Sequence, residues 1–312
     1  MVIPTTLYKL RSDFQKGKLS KADFIDQSQN IHNILFEYRN AIHNSDISSI
    51  TITEEELIFE FESLSISLAA PPNDLRSAPI EALNFGFYEP SETKLLANLA
   101  LDAKCIIDVG ANIGFHANLF SKINPNAQIY AFEPAPLSYS YLQRNIALNG
   151  LGSKVYTFNY GLSDTLESVK LVIPSGNSAN ASLINVSQAT DFEECFSHTT
   201  TLDIFCSNYF LKPSLIKCDV EGAELMVLKG GCDTLKQFKP IVFAELLRKW
   251  SKPFGYHPND MIDFMSSMNY LCIAISNEGY RKCELVNDDT SETNYLFLNK
   301  ENHSQLISNF CT

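Results

Sequence analysis

From about residue 95 onward, short apolar runs alternate with amphipathic stretches, and this alternation limits the fold more than any other feature. The runs cover residues 105–109, 128–132, 155–160, 215–220 and 241–246, with 270–276 and 294–299 as two further candidates. Between them, residues 115–123, 136–149, 223–238 and 258–268 carry helical spacing. Strands that are apolar on both faces must be covered on both. The pattern therefore predicts an α/β fold with a mostly parallel sheet between two helical layers. Residues 168–184 interrupt it: Val169, Leu171 and Ile173 alternate ahead of Pro174 and Gly176, which predicts an inserted hairpin or loop over the site.

Residues 1–80 follow a different grammar. Phe24, Ile31, Leu35, Tyr38 and Ile42 recur at helical spacing. A second helical pattern, Leu57, Phe61, Leu64 and Leu68, follows the acidic Glu54-Glu55-Glu56, and Pro71-Pro72-Asn73-Asp74 ends it. Residues 1–80 are thus expected to be a helical N-terminal extension that packs on the main domain, lids it or dimerises. Residues 81–312 are expected to form the main domain. A homodimer through the N-terminal helices is the sharper expectation.

Charge and cysteine use narrow the partners. With 24 Lys and Arg against 36 Asp and Glu, the formal net charge is -12. No basic run offers a local footprint, so nucleic acid and anionic membrane are not expected partners. None of the eight cysteines forms a C-x-x-C pair, and several lie in apolar runs. They read as reduced cytosolic thiols rather than a disulfide frame or a zinc site. No basic start precedes an apolar stretch, and no apolar run approaches the roughly 20 residues that span a bilayer. A cytoplasmic location is expected, and the sequons at Asn180, Asn185 and Asn302 then carry no meaning.

In open α/β sheets, ligands bind beyond the carboxyl ends of the strands. The turn after the first strand reads Asp108-Val109-Gly110-Ala111-Asn112-Ile113-Gly114. Gly110 permits a tight turn and close backbone approach, and Gly114 lets the next helix pack near the strand. At the end of the second strand stands Glu133, placed to accept hydrogen bonds from both hydroxyls of a ribose. A dinucleotide fingerprint would have glycine where Asn112 stands. S-Adenosylmethionine has a ribose but no phosphate, and Asp108 could hold its ammonium end. The spacing therefore favours S-adenosylmethionine over a nicotinamide dinucleotide.

These strings, joined by Gly161-Leu162-Ser163-Asp164, Thr201-Leu202-Asp203, the run from Ile216 to Glu224, Phe243-Ala244-Glu245 and Asn294-Tyr295-Leu296-Phe297, resemble the FkbM family of S-adenosylmethionine-dependent methyltransferases. The resemblance runs from about residue 85 to 298 and leaves 1–80 uncovered. It implies a Rossmann-like seven-stranded class I methyltransferase sheet with the last strand antiparallel. It also implies O-methylation, often of a sugar hydroxyl in a small molecule or glycan. The alternatives are a nicotinamide-dependent oxidoreductase and a non-catalytic binding protein on the same fold.

The expected cofactor-binding set is Asp108, Gly110, Asn112, Gly114, Glu133, Ser163, Asp164 and Asp219. The expected catalytic set is Asp219, Glu245 and Glu221. Taking a proton from an acceptor hydroxyl needs a base or a metal near the oxygen. Asp219 ends the fourth strand. Glu245 ends the fifth, where a lone carboxylate on an apolar strand is costly without a partner, and an ion pair with Arg248 or Lys249 is the structural alternative. Glu221 either acts with them or caps the following helix, and Glu224 is expected to answer the helix dipole. A divalent metal would find only Asp219 and Glu245 as clear ligands, with His257 as a third candidate, so the metal-free version is preferred and the metal ligands stay unassigned. Tyr88-Glu89 resembles a family segment packed near the cofactor. His116 lines the pocket or faces solvent, and Cys218 should point into the core.

Overall fold

The computed structural model describes residues 6–176, 181–186, 188–276 and 279–310. Asn180 and Cys311 lie outside this range. The chain opens with α1 (Leu7–Gln15) and α2 (Lys21–His43). α2 starts at Ser20, whose hydroxyl accepts the backbone N–H of Asp23. It carries the expected stripe, but the stripe is not buried. Leu35 and Tyr38 are exposed, and Phe24, Ile31 and Ile42 are only partly covered.

Where a second helix was expected, the chain instead forms an antiparallel sheet of β1 (Ile47–Ile52), β2 (Leu57–Phe61) and β3 (Ile66–Ala69). The residues that bury are Phe59 and Phe61, then Ile66 and Leu68. That is a period of two, which the four-residue spacing of Leu57, Phe61, Leu64 and Leu68 had masked. Distant partners favour the strand. The Asn145 side chain accepts from the Ala69 N–H and donates to the Ala69 carbonyl, and Asn149 treats Ser67 the same way. α3 (Ala78–Phe85) and α4 (Pro90–Ala100) then lead into the main sheet.

β4 (Cys105–Val109), β5 (Gln128–Phe132) and β6 (Val155–Phe158) run parallel, connected through α5 (Phe115–Ile123) and α6 (Pro136–Leu148). Next comes the interruption. β7 (Gly161–Leu162), β8 (Glu167–Pro174) and β9 (Phe192–Thr200) form a separate sheet in the order β7-β9-β8, so the expected inserted hairpin is present. After α7 (Leu202–Tyr209) the main sheet resumes with β10 (Leu215–Cys218), and α8 (Glu224–Lys229) and α9 (Cys232–Phe238) precede β11 (Ile241–Glu245). α10 (Arg248–Ser251) and α11 (Pro258–Ser267) lead to β12 (Tyr270–Ser276), β13 (Gly279–Lys282), β14 (Asn294–Asn299) and α12 (Ser304–Phe310).

The main sheet has the order β13-β12-β14-β11-β10-β4-β5-β6, with β14 antiparallel to both neighbours. All seven expected strands are there, and β13 adds an eighth as a hairpin on β12. Along each strand alternate residues enter opposite cores. Ile107, Ile216, Cys218 and Val242 enter one; Ile106, Leu215 and Phe243 enter the other. Cys218 is thus core, as expected. The helix expected over 223–238 is two helices, because Gly230 and Gly231 let neighbours in. A Cβ on Gly230 would lie 2.0 Å from the Ser163 carbonyl oxygen.

Candidate active site

A cavity of about 280 Å³ opens beyond the carboxyl ends of β4, β5, β10 and β11, beside the β4–β10 junction where strand order reverses. Its floor is made by Gly110, Asn112, Glu133, Lys217, Asp219 and Glu245. Arg76, Tyr88 and Glu89 roof it from the N-terminal side, Leu171 and Ser182 from the inserted hairpin, and Trp250 from the segment after β11.

The glycine turn is tight for a stated reason. Gly110 has φ 78°, and a Cβ there would sit 1.8 Å from the Asp219 carbonyl oxygen. Asn112 also takes a left-handed conformation, φ 49°, which asparagine tolerates better than most residues. Its backbone N–H donates to Glu133 Oε2 at 2.9 Å, and its own Oδ1 is buried without a hydrogen-bond partner. The Ala135 N–H holds Glu133 Oε1 at 2.8 Å. Burial raises the Glu133 carboxyl to about 7 despite these two bonds.

At the ends of β10 and β11, carboxylate oxygens of Asp219, Glu221 and Glu245 lie within 4.8 Å of one another. Burial, and then the charge of Asp219, push the carboxyls of Glu221 and Glu245 up. An oxygen-only trio of this span also has the chemistry of a hard-cation site. Glu221 takes a left-handed conformation, φ 55°, and its carbonyl accepts from Ser182 Oγ at 3.1 Å. It does not cap the helix. Nor does Glu224, whose Oε1 instead braces the turn ahead of α8 by accepting the N–H groups of Val220 and Gly222. Arg248 pairs with Asp288 rather than with Glu245.

Lys217 is a floor residue that the sequence reading missed. Its ammonium is 3% exposed, lies 3.4 Å from both Asp108 Oδ1 and Asp219 Oδ2, and donates to the Gly110 carbonyl at 3.1 Å. Burial alone would lower its pKa, but Asp108, Asp219 and Glu89 more than reverse that and hold it raised. The missed signal is the one applied to Glu245: a charged residue inside an apolar strand, Ile216-Lys217-Cys218, must be paid by partners.

Of the expected cofactor set, Gly110, Asn112, Glu133 and Asp219 line the cavity. Asp108, Gly114, Ser163 and Asp164 do not. Asp108 is wholly buried against Lys217. Gly114 serves helix packing, since a Cβ there would meet Leu142 Cδ1 at 2.7 Å. Ser163 is buried in the backbone contact with Gly230, and Asp164 is exposed beside it. Glu221 and Glu245 do line the cavity. His257 is the N-cap of α11, within a capping box with Asp260. His116 lines the cavity but is buried; burial and then Lys217 push its imidazole well below the ordinary range. Tyr88 packs edge-on against Phe115. Glu89 keeps accessible surface on the cavity yet is crowded by protein, and its carboxyl rises to about 7 through burial and then Asp219.

A family model described as the methyltransferase FkbM domain matches residues 108–272. Methyltransferase sdnD of Sordaria araneosa is 33% identical over 153 residues, 40% of this chain and 59% of that protein. Hexuronic acid methyltransferase AglP of Haloferax volcanii is 30% identical over 154 residues, 49% of this chain and 61% of that protein. 2-O-methyltransferase NoeI of Sinorhizobium fredii is 30% identical over 145 residues, 42% and 58% of the two chains. Among solved structures, methyltransferase FkbM from Methylobacillus flagellatus KT aligns with TM-score 0.42 at 15% identity, covering 73% of this chain and 55% of that one. The chain spans about three-fifths of the length of the curated relatives it matches.

Proposed function

Because the chain belongs to the FkbM methyltransferase family, we propose that it transfers a methyl group from S-adenosylmethionine to a hydroxyl of a carbohydrate-like small molecule or glycan. The observation that carries the cofactor choice is the carboxyl-rich lining of the cavity. Glu89, Glu133, Asp219, Glu221 and Glu245 line it against one buried cation, Lys217, with Arg76 and Lys249 at its rim. Carboxyl oxygens accept hydrogen bonds whether ionised or neutral, so such a lining suits the ribose hydroxyls and ammonium of S-adenosylmethionine and offers few donors to the pyrophosphate of a nicotinamide dinucleotide.

The residues present fit that cofactor. Glu133, already anchored by two backbone N–H groups, would accept from the ribose hydroxyls with its remaining lone pairs. The Gly110 turn leaves backbone, not side chain, against the ligand. When bound, S-adenosylmethionine supplies a methyl group on a sulfonium, already activated for in-line transfer. Asp219, beside Lys217, takes the proton that the acceptor hydroxyl releases. Glu245 and Glu221, held protonated, donate hydrogen bonds that orient the acceptor. We prefer this to a divalent cation on the trio. A carbohydrate-like acceptor is supported by the names of two relatives, one a hexuronic acid methyltransferase and one a 2-O-methyltransferase. A homodimer through α2 and a cytoplasmic location complete the reading. The exposed Ile34, Leu35 and Phe36 support the first, and the seven described cysteines, all free thiols, support the second.

Thermal shift and calorimetry with S-adenosylhomocysteine and with NAD test the cofactor. Stabilisation by the first alone is expected, and stabilisation by NAD alone overturns the reading. Mass spectrometry of uronic acids and glycans incubated with isotopically labelled methyl donor tests transfer. A chelator whose effect magnesium or manganese reverses would replace the metal-free version.

A further inference from the structure

The floor holds a buried cation that the acid–base reading above does not itself require. Lys217 and Asp108 stand opposite each other in the β10–β4 register, both facing the same core layer. A counter-ion for Asp108 would need one contact. The Lys217 ammonium instead meets three groups, one on each part of the floor, through one hydrogen bond and two ion-pair contacts at 3.4 Å. These are the Asp108 carboxylate within β4, the Gly110 carbonyl in the glycine turn and the Asp219 carboxylate beyond β10. The space between turn and strand end has no slack, since a Cβ on Gly110 would overlap the Asp219 carbonyl.

We propose that Lys217 is a positioning residue that ties the cofactor-side glycine turn to the Asp219 carboxylate and so aims that carboxylate at the point where the methyl group is transferred. This rests on the reading that Asp219 faces the methyl position. Lys217 touches neither cofactor nor acceptor in this role. Its contribution is orientation: the ammonium draws Asp219 Oδ2 toward the glycine turn and leaves the other carboxylate oxygen for the methyl position.

The test needs no acceptor. Sinefungin resembles S-adenosylhomocysteine but carries a protonated amine in the region of the transferred methyl, so its affinity relative to S-adenosylhomocysteine reports how a carboxylate faces that point. Calorimetry on the full chain should show sinefungin binding at least roughly tenfold tighter than S-adenosylhomocysteine, as a charge-assisted contact gives. In Asp219→Asn the ratio should fall to about one. The paired variant Lys217→Met/Asp108→Asn removes both buried charges together, so its melting temperature should stay near wild type, yet its ratio should fall at least about threefold. Lys217→Arg keeps the buried charge and the fold, but its planar fork cannot set one nitrogen against three partners, and its ratio should fall as well. If both Lys217 variants keep the wild-type ratio or exceed it, Lys217 is only a counter-ion and the proposal fails. If Asp219→Asn itself keeps the ratio, the placement of Asp219 at the methyl position fails first.

Discussion

The floor and the roof of the cavity are built from different kinds of chain. Gly110, Glu133, Lys217 and Glu245 stand on or just beyond parallel strands whose neighbours are locked by main-chain ladders, with Lys217 set opposite Asp108 and Glu245 one step past the Cys218–Ala244 pair. Arg76, Glu89 and Ser182 stand on turns and connections. Two of the bonds tying the roof down are the Leu75 N–H to the Gly176 carbonyl at 3.0 Å and Ser182 Oγ to the Glu221 carbonyl. The family match spans 108–272, which includes the whole floor and leaves out Arg76, Tyr88 and Glu89. A rigid floor keeps reacting groups in place, and a roof on loops can change without disturbing them. On the proposed function, the floor would carry the chemistry and the roof would select the acceptor.

The largest effect that would sharpen the contrast is Gly110→Val. Its side chain meets backbone at a positive φ, so the domain should fail to fold or lose all binding of S-adenosylhomocysteine; circular dichroism and calorimetry decide which. A cooperative wild-type melt with wild-type affinity would show that the floor has slack. Asp219→Asn should lose about 10²- to 10⁴-fold in turnover while keeping S-adenosylhomocysteine affinity, because it removes a base and keeps shape. Methyl transfer at the wild-type rate would leave alignment alone to explain catalysis. Glu133→Ala should weaken S-adenosylhomocysteine by about 2–4 kcal/mol in calorimetry, with the fold intact.

A pH series tests the floor more gently. The Glu133 and Glu224 carboxyls are each raised from 4.5 to about 7, chiefly by burial. Between those values the folded chain still holds protons that the unfolded chain has released. Ligand-free stability should therefore fall as pH rises from about 4.5, by at most about 1.4 kcal/mol per pH unit for each group; the loss from Glu133 and Glu224 is complete near 7, and that from Glu221 and Glu245 continues above it. Ligand held by ionised Glu133 should reverse the slope, with S-adenosylhomocysteine binding tighter as pH rises through 7. Melts across this range, with and without ligand, would expose a flat response. Arg76→Ala should do least: acceptor KM moves severalfold while cofactor affinity stays put. A loss of cofactor affinity in that variant would erase the distinction between floor and roof.

How much of this was legible from the chain depends on whether the signal was local. The strands at 105–109 and 128–132 and the helix at 115–123 stand where the apolar runs placed them. Glu133 and Asp219 were readable because each ends an apolar strand. Lys217 carried the same signal and went unread, since its partners Asp108 and Asp219 were each credited with another task. Ser163 and Asp164 lie off the cavity, because Gly230 packs against their turn, a contact that the sequence does not record.

By itself, the sequence determined the alternation of elements, the parallel core sheet and the strand-end carboxylates, because each follows from periodicity and chain direction within about ten residues. Tertiary structure alone decided that residues 57–69 pair as strands, since Asn145 and Asn149, some eighty residues away, supply partners for that edge. It alone decided that Arg76, Glu89 and Ser182 share one cavity with Asp219, and that one ammonium spans the glycine turn and the β10 end. Those arrangements are contacts between distant segments, and a side chain's own neighbours in sequence carry no record of what will fold against it.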